Sequence, residues 1–408
     1  MYIERHLQSQ IRKYSALYPV IMLCGQRQVG KSTMLYHIKE KDRTYVSLDD
    51  INARRLAETD PALFFETYRP PVLIDEFQRV PEILLEIKHI VDSRELNGDD
   101  NAGLFWLTGS QKFSMMKNAS ESLAGRVGIF DMSSLSSAEI AGREAWVFDP
   151  EIEEIKRRVD GVEAPSLSQV FGRIFEGGMP RIITSEIEPE RYYSDYVDTY
   201  LEKDIRGYAQ IGKLRGFSDF LVYMAAHTAQ ELNYSRIASD IGISAPTAKE
   251  WVSILESSGI IYLLQPYSNN ITKRLVKTPK VYFMDTGLAA YLTRWPDPET
   301  LSVGAMSGAF FETYVVSEIV KSYFNAGQDP DLYYYRDKDQ KEIDLVICRS
   351  GKIWPIEIKK SMAPAHPDKN FQALDKTGMI VEPGIVLCLT DKLIPINRKA
   401  WLCPVGVL

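Results

Sequence analysis

The sequence predicts an α/β protein: a layered parallel-sheet domain first, a helix-rich middle, and a mixed α/β unit at the end. Three observations carry this. Up to about residue 140, short apolar runs alternate with amphipathic stretches, the rhythm of strand–helix repeats over a parallel sheet. Residues 25–33 read Gly-Gln-Arg-Gln-Val-Gly-Lys-Ser-Thr, the pattern G-x-x-x-x-G-K-[ST]. Near the far end, two alternating apolar–polar runs flank Ser350-Gly351, which reads as a hairpin.

The first domain is expected at residues 1–140, with strands at 20–23, 44–48, 71–74, 103–107 and 128–132. A charged stretch from Asp149 to Pro165 reads as an exposed linker or a loosely packed helix, and 141–215 reads as a helical lid and linker, with one helix running from Tyr192 to Tyr208. Residues 216–300 form a second unit and 301–408 a third. A chain of 408 residues with 45% hydrophobic residues accommodates such packed domains. The cysteines Cys24, Cys348, Cys388 and Cys403 are scattered without C-x-x-C spacing, which fits a reducing compartment and argues against zinc. No apolar run reaches membrane-spanning length and Met1-Tyr2-Ile3-Glu4-Arg5 is not a signal peptide, so a cytoplasmic location is expected. A net charge of −7 excludes a wholesale basic coat but leaves room for a local basic groove.

In the glycine-rich stretch, Gly25, Gln26, Arg27, Gln28, Val29 and Gly30 curl the backbone so that N–H groups face phosphate oxygens, and the next residues open a helix. Lys31 reaches the β- and γ-phosphates, Ser32 ligates Mg²⁺, and Thr33 continues the helix. A nucleoside triphosphate is the implied ligand. The apolar run Pro71-Val72-Leu73-Ile74 ends in Asp75-Glu76. Asp75 is placed to hold Mg²⁺ and Glu76 to deprotonate the attacking water. The next apolar run ends in Thr108-Gly109-Ser110-Gln111. Thr108 and Ser110 both qualify as a γ-phosphate sensor, with Ser110 the catalytic candidate. Arg126, ahead of a strand, is a candidate arginine finger for a neighbouring subunit, although arginines at element ends also serve as plain surface residues.

Residues 25–33, the Leu-Ile-Asp-Glu box, the Leu-Thr-Gly-Ser strand end and Ser122-Leu123-Ala124-Gly125-Arg126 together resemble an AAA-type ATPase. The branch it looks like is that of prokaryotic ATP-binding proteins with an uncharacterised C-terminal half. Gly177-Gly178-Met179-Pro180 resembles a Gly-Gly-x-Pro signature of its lid, with Arg181 departing from an acidic residue often found there. The resemblance implies Mg·ATP, oligomer formation and mechanical or switching work.

Residues 232–257 read as helix, glycine turn at Gly242, N-cap at Ser244 and second helix, followed by candidate wing strands. The second helix offers only Lys249 as a cation, whereas Lys273, Arg274, Lys277 and Lys280 are better placed to track a DNA backbone. DNA contact and domain packing both remain open for this winged-helix candidate. In the hairpin, residues whose numbers sum to 701 face each other, setting Asp344 opposite Glu357 and Glu342 opposite Lys359. The apolar set Ile343, Leu345, Ile347, Trp354, Ile356 and Ile358 then falls on the other face. Asp344, Glu357 and Lys359 match the D…(D/E)-x-K pattern and resemble a PD-(D/E)xK nuclease fold, with Glu312 as the preceding helical acid. Glu312, Asp344 and Glu357 would hold Mg²⁺ or Mn²⁺, Lys359 would stabilise charge, and Gln372 is an accessory candidate on the following helix. Such a fold either cleaves DNA or only binds DNA or protein.

Overall fold

The computed structural model describes residues 1–110, 123–201, 214–268 and 278–408. Gln111, Ser122, Lys273, Arg274, Lys277 and the end of the helix expected to reach Tyr208 lie outside the described residues.

Five strands form the first sheet: β1 (Val20–Cys24), β2 (Thr44–Ser47), β3 (Val72–Asp75), β4 (Phe105–Thr108) and β5 (Val127–Asp131). All pairs are parallel, in the order β2-β3-β4-β1-β5. The all-apolar sequence of β1 fits its place inside the sheet, since every residue of it is buried. Insertion of β4 between β1 and β3 brings the ends of three strands together at one edge. The loop after β1 enters the helix Lys31–Ile38 through Gly30 at φ 94°. Gly25 is required for a different reason: a Cβ there would come within 2.0 Å of the Met132 carbonyl oxygen.

The middle of the chain carries the helix Leu214–Ala226, β6 (Gln230–Glu231), the helices Tyr234–Ile241 and Ala245–Ser257, β7 (Ile261–Pro266) and β8 (Lys280–Phe283). Gly242 closes the first helix of the pair in the left-handed conformation, and the Ser244 side chain accepts from the Thr247 amide to start the second. Trp251 locks this pair onto Phe217 and Phe220, with ring centroids 5.1 and 5.3 Å away.

The last part contains the long helix Ser307–Asn325 and the strands β9 (Leu332–Arg336), β10 (Glu342–Arg349), β11 (Lys352–Lys359), β12 (Ile380–Val381), β13 (Gly384–Cys388), β14 (Ile394–Asn397) and β15 (Ala400–Pro404). These strands and β6–β8 belong to a single 10-stranded sheet, joined by parallel pairing of β7 with β9. The segments expected as units at 216–300 and 301–408 therefore share one sheet.

Ser350 and Gly351, at φ 51° and 79°, make the two-residue turn, and Leu345 faces Ile356 as the sum rule requires. One expectation fails. The apolar set does not share one face, and both β10 and β11 are buried along their middles. Leu345, Ile347, Ile356 and Ile358 join the cluster that includes the long helix, while Ile343 joins Val346, Ile353 and Phe371 on the other side. The pairing of β10 with β9 shifts register between Ile343 and Val346, which moves Ile343 out of the set predicted for it.

Candidate functional site

At the edge where β1, β3 and β4 end, the residues expected around a triphosphate converge. The Lys31 ammonium folds back onto its own loop and donates to the carbonyl oxygens of Gly25 (2.8 Å) and Gln26 (2.6 Å). Burial pulls its pKa down to about 8, against the raising effect of Glu76. The Ser32 hydroxyl donates to Asp75 Oδ1 at 2.5 Å, and Tyr45 reaches Oδ2 of the same carboxylate at 3.3 Å. A hydroxyl and a carboxylate oxygen already sharing one point form the donor set that a hard divalent cation takes, so Ser32 and Asp75 fit Mg²⁺.

Thr108 donates to Asp75 Oδ1 and its hydroxyl accepts from the Glu76 amide at 3.4 Å, so it ties the Asp75 carboxylate to the backbone of Glu76. Ser110, almost fully buried, lies near Glu76, its hydroxyl 3.5 Å from the Gln78 amide nitrogen. Glu76 adopts the left-handed conformation (φ 54°), and burial raises its carboxyl pKa. Gln78, which the sequence reading passed over, donates to Glu76 Oε2. Arg126 is not brought to this site. It sits just before β5, at the opposite edge of the sheet, ion-paired with Asp92 at 2.6 Å.

The loop is also gripped from outside. Arg5 donates to the Val29 carbonyl (2.8 Å), to the Ser133 carbonyl (2.8 Å) and to Glu139 (3.0 Å). Tyr192 donates to Gln28 at 2.8 Å, and the Gln26 amide donates to the carbonyl of Gly259, in the turn between the helix pair and β7. Pro180 lies beside Gly30. In the Gly-Gly-Met-Pro stretch, the Gly178 amide donates to Asp285 (2.9 Å) and its carbonyl accepts from the Leu135 amide (2.8 Å). A Cβ on Gly178 would fall 2.3 Å from the Leu135 oxygen. Arg5, Tyr192 and Asp285 carry no local pattern that marks them. Ser136 and Glu139 form a capping box at the start of the helix Ser137–Ile140.

The second cluster lies where β8, β10, β11 and the long helix meet. Lys359 pairs with Glu357 (2.6 Å) and Asp344 (3.5 Å), and Asp344 also accepts from the Ile358 amide at 2.9 Å. Glu342 does not pair with Lys359 as the register predicted. It takes Lys280 at 2.6 Å, and Lys280 also reaches Glu312 at 3.2 Å, where Tyr282 donates at 2.7 Å. Lys280 is 4% exposed, so it does not track a DNA backbone. Burial disfavours its charge, but Glu312, Asp344 and Glu342 outweigh that and raise its pKa. Burial, with Asp344 beside it, raises Glu357, and burial raises Glu312 despite Lys280.

Among the described residues no three His, Cys, Asp or Glu side chains are arranged to hold a metal ion. The Glu312–Asp344–Glu357 set predicted for Mg²⁺ or Mn²⁺ is thus incomplete, because Lys280 supplies the positive charge at Glu312. One feature points the other way: Glu357 Oε2 is buried without a hydrogen-bond partner among the described residues. Gln372 is exposed, on a 3₁₀ turn rather than an α-helix.

Residues 17–141 match the family described as AAA domain, 168–299 a domain of unknown function (DUF8612) and 307–408 a second one (DUF4143). Uncharacterized proteins of Mycobacterium tuberculosis and Mycobacterium bovis are each 27% identical over 376 residues, spanning 90% of this chain and 76% of their own. A Walker-type ATPase of Pyrococcus abyssi is similar at 16% identity over 71% of this chain and 96% of that one, with a TM-score of 0.41. No helix among the described residues is long and apolar enough to cross a membrane. The family match and the phosphate loop make residues 17–141 an AAA-type ATPase-like domain.

Proposed function

We propose that the chain is a Mg·ATP-hydrolysing AAA-type engine whose nucleotide state is passed to a winged helix and a nuclease-like sheet that act on DNA. One observation carries the ATPase reading: the strand order sets Lys31, Ser32, Asp75, Glu76 and Ser110 around one point. On triphosphate binding, Lys31 exchanges its two loop carbonyls for β- and γ-phosphate oxygens. Glu76, its pKa already raised by burial, takes a proton from water attacking the γ-phosphorus in line, and Ser110 senses the phosphate. Ser32 and Asp75 would hold Mg²⁺, which would supply neutralisation of the phosphate charge. Arg126, on the far edge, would exchange its pairing with Asp92 to serve a neighbouring subunit as a finger in a homo-oligomer. Lys31→Ala is expected to abolish hydrolysis, and Glu76→Gln to bind ATP while slowing turnover by about 100-fold or more. Wild-type turnover in either variant refutes that residue's role.

DNA as the load is supported by the element order helix, β6, helix, helix, β7, β8, which is that of a winged helix, and by Asp344, Glu357 and Lys359 across the β10–β11 hairpin. A second reading is a nucleotide-gated switch for a protein partner, with a silent nuclease-like fold. The Lys280 ion pairs within the acid cluster favour it. ATPase rates with linear, single-stranded and branched DNA, and products with Mg²⁺ or Mn²⁺, separate the two. Stimulation by DNA together with cleavage lost in Glu357→Ala supports the first. Neither stimulation nor a gel shift at low salt supports the second.

A further inference from the structure

We propose that Gln78 positions both Glu76 and the attacking water, its amide nitrogen holding the Glu76 carboxylate and its carbonyl oxygen accepting the water's second hydrogen. This rests on the ATP-hydrolysis reading above. Gln78 lies in the short 3₁₀ turn Phe77–Arg79, which Glu76 enters in the left-handed conformation. That turn folds the Gln78 side chain back over the acid that precedes it, where its nitrogen donates to Glu76 Oε2 and approaches Ser110 Oγ at 3.5 Å. A carboxylate only accepts, so the amide must present nitrogen to Glu76 and point its oxygen away. That oxygen is buried and has no hydrogen-bond partner among the described residues. Buried carbonyls are nearly always satisfied, so an orphan one beside a catalytic acid marks the place of a donor that arrives with the substrate.

Water is the donor that fits. It has two hydrogens, and the geometry offers two acceptors, Glu76 and Gln78 Oε1. With both engaged, a water lone pair is left free of the two acceptors to attack the γ-phosphorus. In the reaction that lone pair forms the new P–O bond. The bond from the γ-phosphorus to the bridging oxygen breaks and its electron pair leaves on ADP. One water proton passes to Glu76, and the other stays on the new phosphate oxygen, held by Gln78. No further reactant is needed.

The test compares the full-length wild type, Gln78→Met, Gln78→Leu, Glu76→Gln and the double variant Glu76→Gln with Gln78→Met. Steady-state ATP hydrolysis is read beside the affinity for a fluorescent ATP analogue. Methionine keeps the length of the side chain without either amide group, and leucine guards against a packing fault peculiar to methionine. Both single Gln78 variants are expected to lower kcat by about 10- to 100-fold with nucleotide affinity changed by less than about 2-fold. In the Glu76→Gln background the same Gln78 change should cost less than about 3-fold, because the two side chains act on one water. A wild-type kcat in the Gln78 variants, a loss matched by weaker nucleotide binding, or equal losses in both backgrounds overturns the proposal. Wild-type turnover in Glu76→Gln instead brings down the reading of Glu76 on which it stands.

Discussion

Lys31 engages the loop that carries it, and Arg5 does the same from outside: its guanidinium ties the Val29 carbonyl to Ser133 and Glu139. The two cations differ in what they can release. Lys31, with a pKa lowered to about 8 by burial, gains new acceptors when phosphates arrive. Arg5 has no such exchange, because its partner Glu139 is fully enclosed and also accepts from the amides of His6 and Ser136. Those partners overcome the burial that would raise the Glu139 pKa and hold it low. Removing the arginine leaves a buried carboxylate without its counter-charge, a defect that costs about 3–5 kcal/mol. Arg5→Met is therefore expected to lower unfolding free energy by about that amount in urea titrations. A loss below about 1 kcal/mol, the range of an exposed pair, contradicts this account.

At the scale of elements, the hairpin and the phosphate loop were legible because each is encoded locally. Ser350-Gly351 sets a two-residue turn, and that turn sets the register. The loop glycines and the Asp75-Glu76 strand end are contiguous in sequence. The partners of the acids were not legible, since Lys280 comes from another strand and leaves no periodic trace near Glu312 or Glu342. Burial of the hairpin on both faces also escaped, because the covering 3₁₀ segment and long helix lie outside the alternating runs. That burial has a measurable consequence. Burial beside Asp344 pushes Glu357 up to about 8, and burial raises Glu312 as well. Between the ordinary carboxylate range and pH 8 these two carboxyls then hold more protons in the folded chain than in the unfolded one. Their contribution to stability falls as pH rises through that window, by up to about 1.4 kcal/mol per pH unit for each fully titrating group. Melting curves should show the decline between pH 5.5 and 8.5, and Glu357→Gln should flatten it. If these acids hold a cation, Mg²⁺ or Mn²⁺ restores the loss at pH 8.5 in the wild type but not in Glu357→Gln; an unchanged midpoint favours the silent network.

Over the whole molecule, the alternation of strands and helices announced the first domain, but nothing in it announced that segments distant in sequence grip the phosphate loop. Gln26, Gln28, Val29 and Gly30 meet, in turn, the turn at Gly259, Tyr192, Arg5 and Pro180. The contact with Gly259 has the longest reach. Gly259 links the helix pair to β7, and β7 pairs with both β8 and β9, so it opens onto the 10-stranded sheet that also bears the acid cluster. A loop that tightens around phosphates pulls on the Gln26 amide, and through it on that turn. One such hydrogen bond is worth about 1 kcal/mol, enough to bias the turn without unfolding it. Amide exchange across residues 256–262 should therefore respond to ATP in the wild type. Gln26→Ala should keep ATP binding within about 5-fold, the factor that 1 kcal/mol represents, and lose that response. A response of the same size in Gln26→Ala would mean that the nucleotide signal leaves the loop by the other contacts, through Arg5 or Tyr192, and that the Gly259 turn only packs against it.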